Sequence, residues 1–379
     1  MDRPITEIRP GGLAQSTMGG GARLHGRRPS GSGPIKVAIV GYGAGAQRYH
    51  VPYLKALEGF FVSAVVCGDP GRQSMAKADF PYATVCDSVP ALLRSGTGIH
   101  LAIVATPNNT HGHVSRLLLQ AGLDIVIDKP IALTAIDAQS ILCEAERNKC
   151  IVVPYLNRRW DSDFVAVQRA VSAGVVGRMN QLVSRVDRWR PFAKDHWSTR
   201  SPHEDGGGIV HGFGTHLVDQ ALLLQGPIDL VRATIACARV PAVPDAFRIE
   251  LTHASGARSI VSASDTMQPR LPRFTVRGTA GTIRIHGMDP QEELIKSGVL
   301  PSDKVRWDAE LSRCAPVMTA GEPGRLVVPA TSALEFWVGL ERYLTGSGSV
   351  PVSCQEAIEG LRVLDAAHES WLTKTVVRL

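Results

Sequence analysis

A chain of 379 residues with 44% hydrophobic content and a net charge of +6 is long enough for two domains, each with its own core. No apolar run reaches the roughly 18–20 residues a membrane span needs, and half of the net charge lies in residues 1–34, which hold five Arg and two acids. Without a Lys/Arg cluster interleaved with aromatics, neither a membrane nor a nucleic-acid partner is expected.

The seven cysteines, at 67, 86, 143, 150, 237, 314 and 354, are odd in number and form no CxxC pair. That pattern fits reduced thiols in a cytoplasmic protein better than disulfides or a zinc site. The first 34 residues are rich in Gly and Arg ("MGGGARLHGRRPSGSGP") and contain no continuous apolar stretch. They read as a disordered tail rather than a signal peptide.

From Ile35 the pattern changes. "IKVAIV" is a continuous β-branched run, as expected of a strand buried on both faces of a parallel sheet. It leads into "GYGAGA" (Gly41, Tyr42, Gly43, Ala44, Gly45, Ala46) and then a helical pattern. Strand, glycine turn and helix is the context of a dinucleotide fingerprint. Gly41 permits the tight turn, Gly43 lets backbone approach a pyrophosphate, and Ala46 lets the helix pack closely. Further strands are expected at "FVSAVV", "LAIVA" and "DIVID", with helices near 87–95, 111–121 and 135–148. This alternation predicts an α/β, doubly wound parallel sheet over 35–155.

The end of the second strand sets recognition of the adenosine ribose. Cys67 and Gly68 stand where an NAD enzyme usually carries Asp or Glu, and Arg72 is near enough to meet a 2′-phosphate. NADP(H) is therefore preferred over NAD(H). Two later segments end strands on the ligand side of such a sheet: "ATPNNTH", with Thr106, Pro107, Asn108 and His111, and "DKP", with Lys129. A residue before proline is held extended, which points Lys129 at the crevice.

After 155, strand-like runs recur at "QLVSRVDRW", "DLVRATIACARV", "FRIELTH", "RSIVSAS", "RFTVRG" and "TIRIH". They predict an α+β domain over 156–379 with an open, mostly antiparallel sheet. "SALEFWVGLERYL" and "CQEAIEGLRVLDAAHESWL" read as amphipathic helices.

The segments "VAIVGYGAGAQRYHVP", "ATPNNTHGH", "IDKPIALT", "NRRWDSDF" and "GTHLVDQALLL" resemble, in order and spacing, the Gfo/Idh/MocA oxidoreductases. The later pieces are most similar to the NADP-dependent scyllo-inositol dehydrogenase branch, and the resemblance covers about 35–375. It implies a Rossmann domain followed by a substrate domain whose sheet forms a homodimer or homotetramer face. It also implies hydride transfer between a nicotinamide cofactor and a hydroxyl or ketone of a polyol, sugar or sugar derivative. Lys129 would contact the reacting hydroxyl and His216 would act as general base. Arg158 and Trp160 would line the nicotinamide and substrate pocket, with Trp197 and Asp219 on the substrate side.

One departure stands out. The family pattern Asp-x-x-x-His places its His at His216 but finds Gly212 in place of the Asp. In an α-helix those positions stack one turn apart, whereas His211 lies about 140° round and faces elsewhere. A metal site from His211, His216 and Asp219 lacks a recognisable ligand spacing. Loss of the acid leaves two alternatives to simple dehydrogenation: a non-catalytic NAD(P)-binding regulator, or transient oxidation followed by elimination or imine chemistry.

Overall fold

The computed structural model of the protein describes residues 33–319 and 322–379, so the N-terminal tail lies outside the described residues except for its last two positions. Six strands, β1 (Ile35–Val40), β2 (Phe60–Val66), β3 (Thr84–Cys86), β4 (Leu101–Val104), β5 (Asp124–Asp128) and β6 (Val152–Tyr155), form one sheet. Their order is β3-β2-β1-β4-β5-β6 and every pairing is parallel. The continuous apolar runs account for this: Val37, Ile39, Ile103, Ile125 and Val126 are fully buried between helices on the two faces. Strand order reverses between β1 and β4, which opens the ligand crevice at their carboxyl ends. The three residues of β3 are too few to show a sequence pattern.

The second sheet has nine strands: β7 (Met179–Asp187), β8 (Ile228–Ala236), β9 (Ala246–His253), β10 (Arg258–Ser264), β11 (Phe274–Gly278), β12 (Gly281–Ile285), β13 (Arg313–Thr319), β14 (Glu322–Val328) and β15 (Val377–Arg378). The order is β14-β13-β12-β11-β7-β10-β9-β8-β15, and only β7 and β10 run parallel. Alternation within β9 shows that one face is covered: Phe247, Ile249 and Leu251 are buried, while Arg248 and Glu250 are exposed. The helices Ser162–Ser172, Thr215–Gln225 and Cys354–Thr373 supply that cover.

The C-terminal helices do not stay with the second sheet. In Leu334–Leu344, Trp337 packs its ring 5.8 Å from His50 and 5.6 Å from both Phe60 and Tyr155, all in the N-terminal part. The helix Cys354–Thr373 touches both sheets. Its Asp365 carboxylate accepts from the Ala135 N–H at 2.9 Å, and its Ser370 hydroxyl accepts from the Ala233 N–H on β8 at 3.1 Å. The chain's end thereby ties the two halves into a fixed crevice. Among the described residues no helix is long and apolar enough to cross a membrane.

Candidate active site

The cofactor side begins where β1 ends. Gly41 has φ +95°, and a Cβ there would lie 2.6 Å from the Ala105 carbonyl oxygen, so only glycine lets the two strand ends meet. Gly43 opens the helix Ala44–Tyr49 with no side chain capping it and nothing within 4 Å of a hypothetical Cβ. The open cradle in front of a bare helix N-terminus fits a pyrophosphate. Gly45 approaches the Asp128 carboxylate and Ala46 is fully buried. The Tyr42 side chain points away, its hydroxyl donating to Asp79 at 2.6 Å, so only its backbone can border the cradle.

At the end of β2, Cys67 is buried beside Gly68. The Asp69 carboxylate accepts from the Arg72 N–H at 2.8 Å and caps the helix Pro70–Asp79. The late acid is thus engaged by its own helix. Arg72 is exposed, and its guanidinium forms no hydrogen bond or ion pair among the described residues. It reaches His196 electrostatically: burial lowers that imidazole's pKa and Arg72 lowers it further. His196 also lies 5.5 Å from Trp197, ring to ring. Trp197 makes no ring contact or hydrogen bond to Lys129 or His216 among the described residues; its neighbour faces the Arg72 end of the crevice.

The loop after β4 is held by its own polar groups. Thr110 donates to the Thr106 hydroxyl at 2.7 Å, and a short helical turn follows Pro107. Asn108 donates to the Gly206 carbonyl at 2.8 Å and so joins the two halves. The His111 ring nitrogens lie 2.8 Å from the Pro130 carbonyl and 2.9 Å from the Thr106 carbonyl. His111 is buried and clamps the two strand-end loops together; its ring is not free to meet a ligand.

Lys129 leaves the end of β5 beside Asp128, which accepts the Lys129 N–H at 2.9 Å and lies 3.5 Å from the buried His50. The Lys129 ammonium crosses to the second half and donates to the Gly212 carbonyl at 2.6 Å. Burial lowers its pKa from 10.5 to about 8; Asp128 resists this, while Arg158 and Arg188 add to it.

The segment 206–216 is shaped by its glycines. Gly206 and Gly208 have φ +81° and +82°, and a Cβ on either would strike Leu133 and Asn108 or Pro244 within 2.7 Å. The glycine run is therefore a close-packed turn. A π-helical turn, Val210–Gly214, then feeds the helix Thr215–Gln225. This corrects the angular expectation for His211. In π geometry hydrogen bonds run from i to i+5, so residues five apart lie nearly one above the other. His211 is nevertheless taken up elsewhere. Its ring stacks 4.3 Å from His203, which stacks 4.5 Å from His368.

His216 is 3% exposed, and its Nδ1 has no hydrogen-bond partner among the described residues. Burial, followed by the charges of Lys129, Arg158 and Arg273, pushes its pKa well below 6.5, so the ring is neutral near pH 7. Gly212 leaves open space, with nothing within 4 Å of a Cβ built there. Beside it the Phe213 ring has Arg188 at 4.6 Å and Arg158 at 5.4 Å from its centroid. Arg158 also pairs with Asp161 at 2.8 Å.

Asp219 lines a small hollow with Lys129, Thr215 and Glu356. Both of its oxygens are held by Arg159, at 2.6 and 2.9 Å, and Arg159 reaches Glu356 at 3.1 Å. Trp160 packs edge-on against Phe336 at 5.6 Å, a core contact. The structure thus brings Lys129, Arg158, Gly212 and His216 together and leaves Trp160 and Trp197 outside that group. Arg188 was missed from the sequence, although it stands at the end of β7 inside the segment "RWRPFAKDHW" that carries Trp197. Its place at a strand end was the available signal.

Residues 35–156 match the model of an oxidoreductase family with an NAD-binding Rossmann fold, and 164–284 match the Gfo/Idh/MocA C-terminal domain. The chain belongs to the Gfo/Idh/MocA oxidoreductase family. Its relatives include the oxidoreductase YdgJ of Escherichia coli K12, 30% identical over 89% of this chain and 96% of that protein. The scyllo-inositol 2-dehydrogenase (NADP(+)) IolW of Bacillus subtilis is 27% identical over 91% of this chain and 96% of IolW. Among solved structures, an NAD-binding protein from Listeria innocua superposes with a TM-score of 0.76 at 26% identity, covering 91% of this chain and 96% of that one. At the crevice the protein carries Lys129 and His216, with Gly212 four residues before the histidine.

Proposed function

We propose that this oxidoreductase transfers hydride between NADP(H) and a CH–OH or ketone carbon of a polyol, sugar or sugar derivative. The observation that carries the reading is the Lys129 ammonium bonded across the crevice to Gly212, one helical turn from a neutral, buried His216. A bound nicotinamide cofactor would supply the hydride acceptor. Gly41, Gly43, Ala44, Gly45 and Ala46 would hold its pyrophosphate, and Arg72 its 2′-phosphate.

The chain's own residues handle the proton. An alcohol is a poor hydride donor until its hydroxyl proton is leaving, and a neutral imidazole can accept that proton. The adjacent Lys129 ammonium stabilises the developing alkoxide in an enclosed site where such charges act strongly. The names of IolW and of a D-apiose dehydrogenase from Paraburkholderia graminis, 28% identical over 66% of this chain, support a polyol or sugar substrate.

Fluorescence titration with NADPH and NADH tests the cofactor half, and a steady-state screen of inositols, hexoses and keto-sugars tests the reaction. Turnover that is abolished in Lys129→Ala and His216→Ala is expected. Cofactor binding without turnover of any substrate in the screen would favour the non-catalytic regulator, a reading to which the absent acid at Gly212 lends weight.

A further inference from the structure

The hollow at Gly212 also bears on which hydroxyl compounds the site takes, an inference that rests on the oxidoreductase reading above. Space for a side chain lies open there, and the Gly212 carbonyl is 2.6 Å from the Lys129 Nζ. That carbonyl is the hydrogen-bond acceptor this ammonium has among the described residues, so an ammonium with three N–H donors keeps donors for a ligand.

Two arginines lie close to Gly212. Arg158 and Arg188 flank the ring of Phe213, the residue after Gly212. Arg188 is 27% exposed, so a ligand in the crevice can reach it.

The nearby carboxylates are already engaged, Asp219 and Glu356 by Arg159 at 2.6 and 3.1 Å. Asp265 bonds Arg188 at 2.5 Å and is shared with Arg239 at 2.8 Å. Asp161 is taken by Arg158. Glu292, whose charge reaches Lys129, pairs with Arg48 at 3.4 Å and with Lys296 at 2.9 Å. Asp128, beside Lys129, accepts the backbone N–H and faces His50. An Asp at 212 would complete the charge balance and repel an anionic substrate. Glycine there leaves both the space and the cations for one.

We propose that the substrate brings the missing carboxylate: the preferred substrates are sugar acids, aldonates or uronates, whose carboxylate lies beside Lys129 and Arg188 while a neighbouring carbinol carbon reacts. The carbinol carbon loses hydride to the nicotinamide while its hydroxyl oxygen gives its proton to His216, leaving a keto acid. The carboxylate itself is unchanged.

The test compares matched pairs with the full chain and NADP+: D-glucuronate against D-glucose, D-galacturonate against D-galactose, and D-gluconate against D-sorbitol. The acid member of a pair should show kcat/KM at least about tenfold higher, as expected of one charge-assisted contact. Arg188→Gln should collapse that ratio towards one, and Gly212→Asp should reverse it. Asp265 keeps Arg239 as a partner when Arg188 is replaced, and the Cβ of Gly212→Asp meets no atom within 4 Å, so either variant can report if the other fails to fold.

Faster turnover of the neutral members would overturn the proposal while leaving the oxidoreductase reading intact. An acid preference that survives both substitutions would overturn the assigned anion site. If nothing turns over, the oxidoreductase reading fails on this panel, and the anion site is judged by thermal shift with D-glucuronate and NADPH. A shift in Tm weakened by salt and absent in Arg188→Gln supports the site; no shift overturns it.

Discussion

Replacing Gly212 with Asp should restore the proton affinity of Lys129. The substituted Cβ meets no atom within 4 Å, and the backbone oxygen of the same residue already lies 2.6 Å from Nζ. The new carboxylate then sits about 4–6 Å from the ammonium. At an effective dielectric of about 20, unit charges at that separation attract by about 3–4 kcal/mol. This corresponds to a rise of about two to three pKa units. Lys129, held at about 8 in the native protein, should therefore titrate at about 10–11 in the variant. Reductive 13C-methylation of the lysines, with the Lys129 resonance identified by its loss in Lys129→Arg, lets NMR follow this titration without any substrate. Stability gives a second readout. Between pH 8 and 10.5 the unfolded chain retains a proton that native Lys129 has released, so stability rises with pH across that window. In Gly212→Asp the rise should disappear, whereas Gly212→Asn should keep it. A Lys129 resonance still titrating near pH 8 in Gly212→Asp would show that the hollow is not coupled to the ammonium, and the charge argument would fail.

Three further outcomes are expected. Arg159→Met strips the buried Asp219 of hydrogen bonds at 2.6 and 2.9 Å. It should cost about 3–5 kcal/mol in urea denaturation at pH 7, and Arg159→Met/Asp219→Leu should recover most of the loss. Arg72→Ala should weaken NADPH binding by about 10–100-fold, the worth of a charge-assisted contact, and leave NADH binding unchanged by fluorescence titration; equal loss for both cofactors would refute the 2′-phosphate assignment. The histidine stack should make the protein acid-sensitive. Burial first, and then the neighbouring imidazoles, lower His203 to about 3; burial lowers His211 to about 4, with His368 and Lys129 adding to it. Below pH 6.5 the unfolded chain binds protons that these two rings refuse, so Tm should fall from pH 6.5 towards pH 3. His203→Phe should flatten that slope.

The features legible in the sequence were those whose cause is local. A β-branched run followed by Gly41-x-Gly43-x-x-Ala46 specifies a buried strand and a bare helix N-terminus within a dozen residues, and both are present. Lys129 was legible because a strand end fixes where its side chain starts. The angular reasoning that set His211 apart assumed 3.6 residues per turn. It failed because nothing local distinguishes the π turn of Val210–Gly214 from an α-helical one. The contacts that decide the chemistry join distant positions: Lys129 to Gly212 across 83 residues and Arg159 to Asp219 across 60. No periodicity encodes such pairs.

Asp219 and Gly212 show why position in a familiar pattern is not the same as role. Asp219 keeps its place on the helix Thr215–Gln225, yet both of its oxygens are held by Arg159, so its charge is already paired within the protein. Gly212 has no side chain, yet it receives the Lys129 ammonium through its backbone. A residue that can accept only through its carbonyl fixes where the ammonium sits without neutralising it. The positive charge of Lys129 that an Asp would have paired therefore remains directed at the crevice, beside Arg158 and Arg188, which keep Asp161 and Asp265 as partners. Electrostatic selection follows from that arrangement alone: a neutral polyol gains nothing from the uncancelled charge, whereas a carboxylate gains the attraction that the protein no longer satisfies itself.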